Sequence, residues 1–240
     1  MSKFVIFANA RSGSTSLAKT LSASKDVKMA LEPFHPKYSE WNPDERNYSE
    51  YIVDEGTMDK ALDEILSKHT ALKVLKYQFP KKIYFHMLKR DDLKIINLAR
   101  KGYIQGAVSV LVAEQTTVWQ KEETGKSSSK IYENLKPIDM TRIREMVDYG
   151  KSLNRTYGTF LKENRKGDYI NLFYESLFSK TEKENISTIK DICAFLEISL
   201  PPKAVINKYM TPSKSKINFE GLYKNIPNYK EIEEEFGEIS

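Results

Sequence analysis

The sequence predicts an α/β fold in which a central parallel β-sheet is flanked by helices. Three observations carry this. Short apolar runs at 4–8, 27–31, 71–79, 94–99 and 168–174 have the length and composition of strands, several of them of the kind buried on both faces. Segments with helical apolar spacing lie between them, and strands alternating with helices build parallel sheets. The first apolar run passes through a loop of small residues straight into a helix marked by Leu17, Ala18 and Leu21, a strand–loop–helix unit that makes an anion site.

In order along the chain, the first strand is Phe4 to Ala8, and the loop after it holds Arg11, Ser12, Gly13, Ser14, Thr15 and Ser16. A helix start offers N–H groups without intrahelical acceptors and the positive end of its dipole. Gly13 lets the backbone approach a phosphate, the Ser and Thr hydroxyls add donors, and Arg11 can hydrogen-bond two oxygens at once. Val27 to Leu31 is the second strand, closed by Glu32-Pro33-Phe34-His35-Pro36, with Pro33 biasing Glu32 toward an extended backbone. Residues 36–57 are polar, aromatic and Pro-containing and read as a long loop or lid.

Met58, Ala61, Leu62, Ile65 and Leu66 have helical spacing, Ala71 to Phe79 alternates like a strand, and Pro80 ends it. Lys94 to Ala99 is a further strand ending at Arg100. A helix then runs from about Tyr103 to Gln120, its apolar face including Ile104, Ala107, Val108, Leu111, Gln115, Val118 and Trp119. Residues 121–135 read as a polar loop. Asp139 caps a long helix to about Lys166, Asp168 to Tyr174 is the last strand, and Thr181 with Glu184 forms a capping box for a helix through Leu196. A short acidic helix, Tyr229 to Phe236, lies near the end. In parallel sheets ligands bind beyond the carboxyl ends of the strands, so Arg11, Glu32, Arg100 and Tyr174 are expected along one edge.

Composition narrows the function classes. A chain of 240 residues can bury a sizeable core, and a single domain over 1–240 is expected. The net charge of +5 comes from 38 basic and 33 acidic residues spread along the chain. That suits an anionic small ligand, and with no aromatic-interleaved basic tract no nucleic-acid partner is expected. The lone Cys193 excludes an internal disulfide and reads as a core filler. With three His, a His/Cys metal cluster is not expected. No apolar run approaches a membrane span and the first strand leaves no room for a signal peptide, so a cytoplasmic setting is the expectation.

The phosphate loop is not a Walker A loop, in which a Lys follows the second Gly. Here the basic residue precedes the only Gly of the loop. A kinase should carry that Lys and a carboxylate for magnesium, and remains the alternative enzyme reading. A catalytically inactive nucleotide-binding protein on the same scaffold is the alternative from another class.

Two anion-binding strand–helix junctions on one sheet suit a nucleotide with phosphates at two positions. At this point the chain resembles the sulfotransferases that use 3′-phosphoadenosine 5′-phosphosulfate (PAPS), and within them the bacterial carbohydrate and trehalose-sulfotransferase-like branch. Arg11-Ser-Gly-Ser-Thr15 is similar to their 5′-phosphosulfate loop, and Asn97 to Ser109, a strand ending in Arg100 and a helix with Ser109 nine residues on, to their 3′-phosphate motif. Ala113-Glu-Gln-Thr-Thr-Val-Trp119 is close to a run in the trehalose-type branch, and Tyr174-Glu175-Ser176-Leu177 to the Tyr-Glu-x-Leu after a late strand. Together the motifs cover about residues 4–120 and 168–200.

The resemblance implies a P-loop-NTPase-like sulfotransferase fold, PAPS as sulfuryl donor, PAP (3′-phosphoadenosine 5′-phosphate) as product, and no metal. Arg11 would contact the 5′-phosphate and stabilise the leaving oxygen, with the loop from Ser12 to Ser16 binding the same phosphate. Arg100 and Ser109 would hold the 3′-phosphate, and Tyr174 would lie near the adenine. Lys214 and Lys216 would close over the 3′-phosphate, where many members carry an Arg-Lys-Gly lid that this chain lacks. The acceptor is a small-molecule hydroxyl, with sugar favoured by the resemblance. Tyr38, Trp41 and Tyr48 are candidates to stack on its ring. Gln115 and Trp119 read as core or dimer contacts, a homodimer being left open.

The acceptor hydroxyl must lose its proton as it attacks sulfur, so a base is needed. Glu32 is the first candidate, because the carbohydrate-type branch places a carboxylate there. His35 in the same loop is its rival, and His86 matches only loosely. A structural pairing of Glu32 with a nearby Lys is the competing explanation for that carboxylate.

Overall fold

The computed structural model describes residues 2–119, 134–178, 181–211 and 222–237. Five parallel strands, β1 (Lys3–Ala8), β2 (Met29–Leu31), β3 (Ala71–Leu75), β4 (Leu93–Ala99) and β5 (Tyr169–Phe173), lie in the order β2-β3-β1-β4-β5. Their alternating side chains feed two cores. Val5, Phe7, Leu72, Val74 and Ile95 pack against α4 (Glu55–Lys68), α5 (Lys81–Leu88) and α7 (Met140–Asn164). Phe4, Ile6, Ala8, Ile96 and Leu98 pack on the opposite face against α1 (Ser14–Leu21), α9 (Glu182–Leu196) and α10 (Lys203–Met210). A third apolar cluster joins α6 (Tyr103–Thr116) and the start of α7 to Ile138, Tyr223, Ile226 and Ile232, the last on α11 (Tyr229–Phe236).

The connection after β1 runs through α1 to one edge of the sheet, and the one after β4 runs through α6 toward the other. The strand order therefore reverses between β1 and β4, and the crevice beyond their carboxyl ends is the topological switch point where open α/β sheets bind ligands.

Several boundaries differ from the sequence expectations for physical reasons. β2 begins at Met29 because the Lys28 N–H is taken by the Thr70 hydroxyl. β3 stops at Leu75, whose N–H is turned to the Gln78 side chain, and Pro80 then begins α5, a helix the alternation reading passed over. α6 ends at Thr116, and Thr117 terminates it in the left-handed region (φ 58°). Gln115, expected on the apolar face, is instead exposed and bonded to the Lys136 backbone.

Residues 36–57 hold two short helices, α2 (Tyr38–Trp41) and α3 (Tyr48–Tyr51). Tyr38 and Tyr48 are buried in the first core rather than free to stack on a ligand, whereas Trp41 is 55% exposed. The expected caps hold: Asp139 accepts from the Thr141 and Arg142 N–H groups, and Thr181 with Glu184 forms its capping box. Cys193 is buried in the second core, and burial pushes its thiol up to about 11. No helix among the described residues is long and apolar enough to cross a membrane.

Candidate active site at the carboxyl edge of the sheet

Gly13 is the N-cap of α1 and sits in the left-handed region (φ 78°, ψ 11°), where glycine carries no steric penalty. It brings no side-chain cap, and the Leu17 N–H returns to its carbonyl at 3.1 Å. The loop before it is drawn tight by the buried Ser12 hydroxyl, which donates to Asn9 O at 2.6 Å. The Ser12 hydroxyl thus shapes the loop, and its backbone N–H belongs to the same turn.

Arg11 occupies a left-handed backbone (φ 55°), and so does Glu32 (φ 56°). The other non-glycine residues of this kind among the described residues, Thr117 and Glu197, are helix C-caps, where the conformation is routine. Two strained residues thus lie just past β1 and β2, where strain concentrates at functional sites. Glu32 does not adopt the extended backbone expected before Pro33. Its N–H is tied to Lys73 O at 3.0 Å, and its carbonyl accepts from the His35 N–H at 2.9 Å in a turn.

The switch point brings Arg11, Arg100, Ser109 and Tyr174 together. Arg11 Nε donates to Ser109 Oγ at 2.8 Å and its Nη1 donates to Trp119 O. Arg100 Nη1 donates to Arg11 O at 3.0 Å, and its guanidinium lies 4.3 Å from the centre of the Tyr174 ring. Burial raises the Tyr174 phenol pKa, with Arg100 opposing. Arg100 Nε is buried and has no hydrogen-bond partner among the described residues. A buried guanidinium N–H with no acceptor is costly, and an anionic oxygen is the natural partner. The site fits a phosphate on this observation.

Beyond β2 and β3 the organising residue is one the sequence reading did not single out. Lys73 lies in the middle of β3 with its side chain almost fully buried, donating to Thr15 Oγ1 at 2.9 Å and forming a short ion pair with Glu32. Burial pushes the Lys73 ammonium down from its ordinary value, with Glu32 pulling it back and Arg11 and Lys19 adding to the depression. A Lys inside the apolar run Ala71-Leu-Lys-Val-Leu75 was the available signal, since charges are buried in strands only with partners.

Lys76, just past β3, is also buried. Its Nζ lies 3.5 Å from Leu98 O and 5.4 Å from the centre of the Phe7 ring, and burial pushes its pKa down to about 7. Tyr77 is half-exposed, and partial burial and then the charge of Glu32 raise its phenol pKa.

His35 stacks on Trp41, with ring centres 4.6 Å apart, and its Nδ1 accepts from the Lys37 N–H. His86 is removed from this group, held by Asp59 at 2.7 Å and close to Glu55 on α4. Lys214 and Lys216 lie outside the described residues. Chemically, the edge holds a guanidinium pair for anions on one side and a strained, lysine-paired carboxylate on the other.

No family model matches the chain, and no curated protein does. Among solved structures, the chain is similar to a sulfotransferase from Alicyclobacillus acidocaldarius, at 17% identity over 85% of each chain with a TM-score of 0.48. It is also similar to mouse sulfotransferase SULT7A1 complexed with PAP, at 16% identity over 89% of this chain and 65% of that one (TM-score 0.49). A further similarity is to the sulfotransferase domain from the curacin biosynthetic pathway, at 15% identity over 98% of this chain and 97% of that one (TM-score 0.49).

Proposed function

We propose that this chain is a sulfotransferase that moves the sulfuryl group of PAPS to a hydroxyl of a small-molecule acceptor, a sugar being favoured, by in-line displacement without a covalent enzyme intermediate. The observation that carries this is the pairing of two anion-reading junctions across the switch point. Arg11 and the α1 N-terminus follow β1, Arg100 and Ser109 follow β4, and the two are joined through the Arg11–Ser109 and Arg100–Arg11 bonds. A donor with a 5′-phosphosulfate and a 3′-phosphate asks for two such junctions at once.

In this reading Arg11 exchanges its internal partners for the 5′-phosphate and neutralises the charge that develops there as the S–O bond breaks. The first-turn N–H groups of α1 supply directed donors. Arg100 Nε finds its missing acceptor on the 3′-phosphate. Glu32 takes the acceptor proton during attack, and its ion pair with Lys73 places an ammonium beside Thr15, on the phosphosulfate side. His35 buttresses that turn through its stack on Trp41.

A thermal-shift panel of PAP, AMP and magnesium-ATP tests the donor assignment. At 100 times its Kd a ligand adds about 2.7 kcal/mol, and for a chain of this size that raises Tm by roughly 5–10 °C. A shift with PAP and not with the others is the expected result. A shift with magnesium-ATP instead would replace the sulfotransferase reading with a kinase, and no shift at all would favour a non-catalytic scaffold.

A further inference from the structure

Glu175 belongs to the short helix α8 (Tyr174–Leu177), directly after β5. Its carboxylate reaches across to the β4–α6 turn, where Oε1 accepts from the Gly102 N–H at 2.8 Å and both oxygens accept from the Lys101 N–H at 3.1 Å. Gly102 is the N-cap of α6 and has no side chain with which to cap it. Glu175 therefore caps α6 from another element, with its negative charge at the positive end of the helix dipole.

The residue before it, Tyr174, holds the Arg100 guanidinium on its ring face. Two consecutive residues thus grip the same arm, one by the side chain of Arg100 and one by the main chain that immediately follows it. Only residues 100–102 connect β4 to α6, so fixing the N–H groups of 101 and 102 fixes the direction in which residue 100 projects.

We propose that Glu175 is a positioning residue for Arg100, locking the β4–α6 turn so that the guanidinium meets the 3′-phosphate of the donor nucleotide. This rests on the donor-site reading above. A carboxylate that merely stabilised α6 would lower stability without changing which nucleotide is chosen, so the test is nucleotide discrimination.

Calorimetric titrations with PAP and AMP would compare wild type, E175A, E175Q, R100A and the E175A/R100A double variant, each first checked by thermal melting. Glu175 is exposed, and E175Q retains one acceptor oxygen for the turn. Wild type should prefer PAP. E175A should lose about tenfold in PAP affinity while AMP affinity stays within about twofold, a loss of the size expected for directly coupled residues. E175Q should keep most of the preference, and E175A should add no further loss of preference to R100A.

Equal losses for PAP and AMP in E175A, additive losses in the double variant, or tighter PAP binding on removing the carboxylate would each overturn the proposal. A wild type indifferent to the 3′-phosphate would instead remove the donor-site reading, and this proposal with it.

Discussion

Glu32 and Lys73 show how a single pair can shape a site. A lysine in the interior of a parallel sheet is tolerated only where its charge is met, and here it is met by the carboxylate of the next strand and the hydroxyl of α1. Removing the carboxylate strands the lysine, so E32Q is the sparing substitution. It should lower kcat by about 10²–10⁴-fold with PAP affinity unchanged. Turnover at saturating donor and a PAP titration read the two quantities separately, and wild-type turnover in E32Q would remove Glu32 as the base. Lys76 has no such partner among the described residues, and its burial is a cost with a pH signature. Below about 7 both native and unfolded chains carry the proton and the full cost of burying the ammonium is present. Between there and the ordinary lysine value near 10.4 the unfolded chain binds more protons, so stability rises with pH. K76M should therefore raise Tm more at about pH 6.5 than at about pH 9.5. An equal gain at both would mean that Lys76 does not titrate in the native protein.

At the level of elements, the caps do more than their size suggests. α7 carries Asn154, whose side chain bonds Asn9 Nδ2, Arg100 O and the Tyr103 hydroxyl, so the loops after β1 and β4 both hang on one position of this helix. The helix starts where Asp139 accepts from Thr141 and Arg142. D139A should cost about 1 kcal/mol, read by denaturant unfolding, without altering nucleotide discrimination, because the lost cap lies several turns from Asn154. Loss of PAP preference in D139A would show that the start of α7 also sets the site. The helices that periodicity and capping signals predict form as expected here: the one carrying Met58 to Leu66, the one that Asp139 caps and the one that the Thr181 capping box starts. α5 escapes a periodicity reading because its buried positions, Ile83, Tyr84, Met87 and Leu88, span less than two turns directly after Pro80 and a Lys pair.

For the molecule as a whole, the third cluster ties residues 222–237 to α6 and the start of α7. The buried Asn228 fastens this cluster, donating to Ile138 O and accepting from the Ile138 N–H, each at 2.8 Å. N228A leaves both backbone groups of Ile138 without their partner, a loss of roughly 1–3 kcal/mol. It should speed hydrogen exchange in residues 222–237 before the sheet opens. Uniform loss of protection across the sheet would mean that the cluster and the sheet open as one unit.

The sequence by itself determined the parallel sheet, the helices that flank it and the edge where Arg11, Glu32, Arg100 and Tyr174 lie, because apolar periodicity and strand–helix alternation are local signals. Ser109 was marked only by the resemblance of the run from Asn97 to Ser109 to a 3′-phosphate motif. The tertiary structure alone decided which strand neighbours which, and with it the Lys73–Glu32 pair, the Arg100–Arg11 bond and the reach of Glu175 to the α6 turn. Those contacts join residues 41, 89 and 73 positions apart. No periodicity encodes such distances. They arise when burial of two opposite sheet faces forces the order of the strands, and charged side chains then take the partners that this order brings within reach.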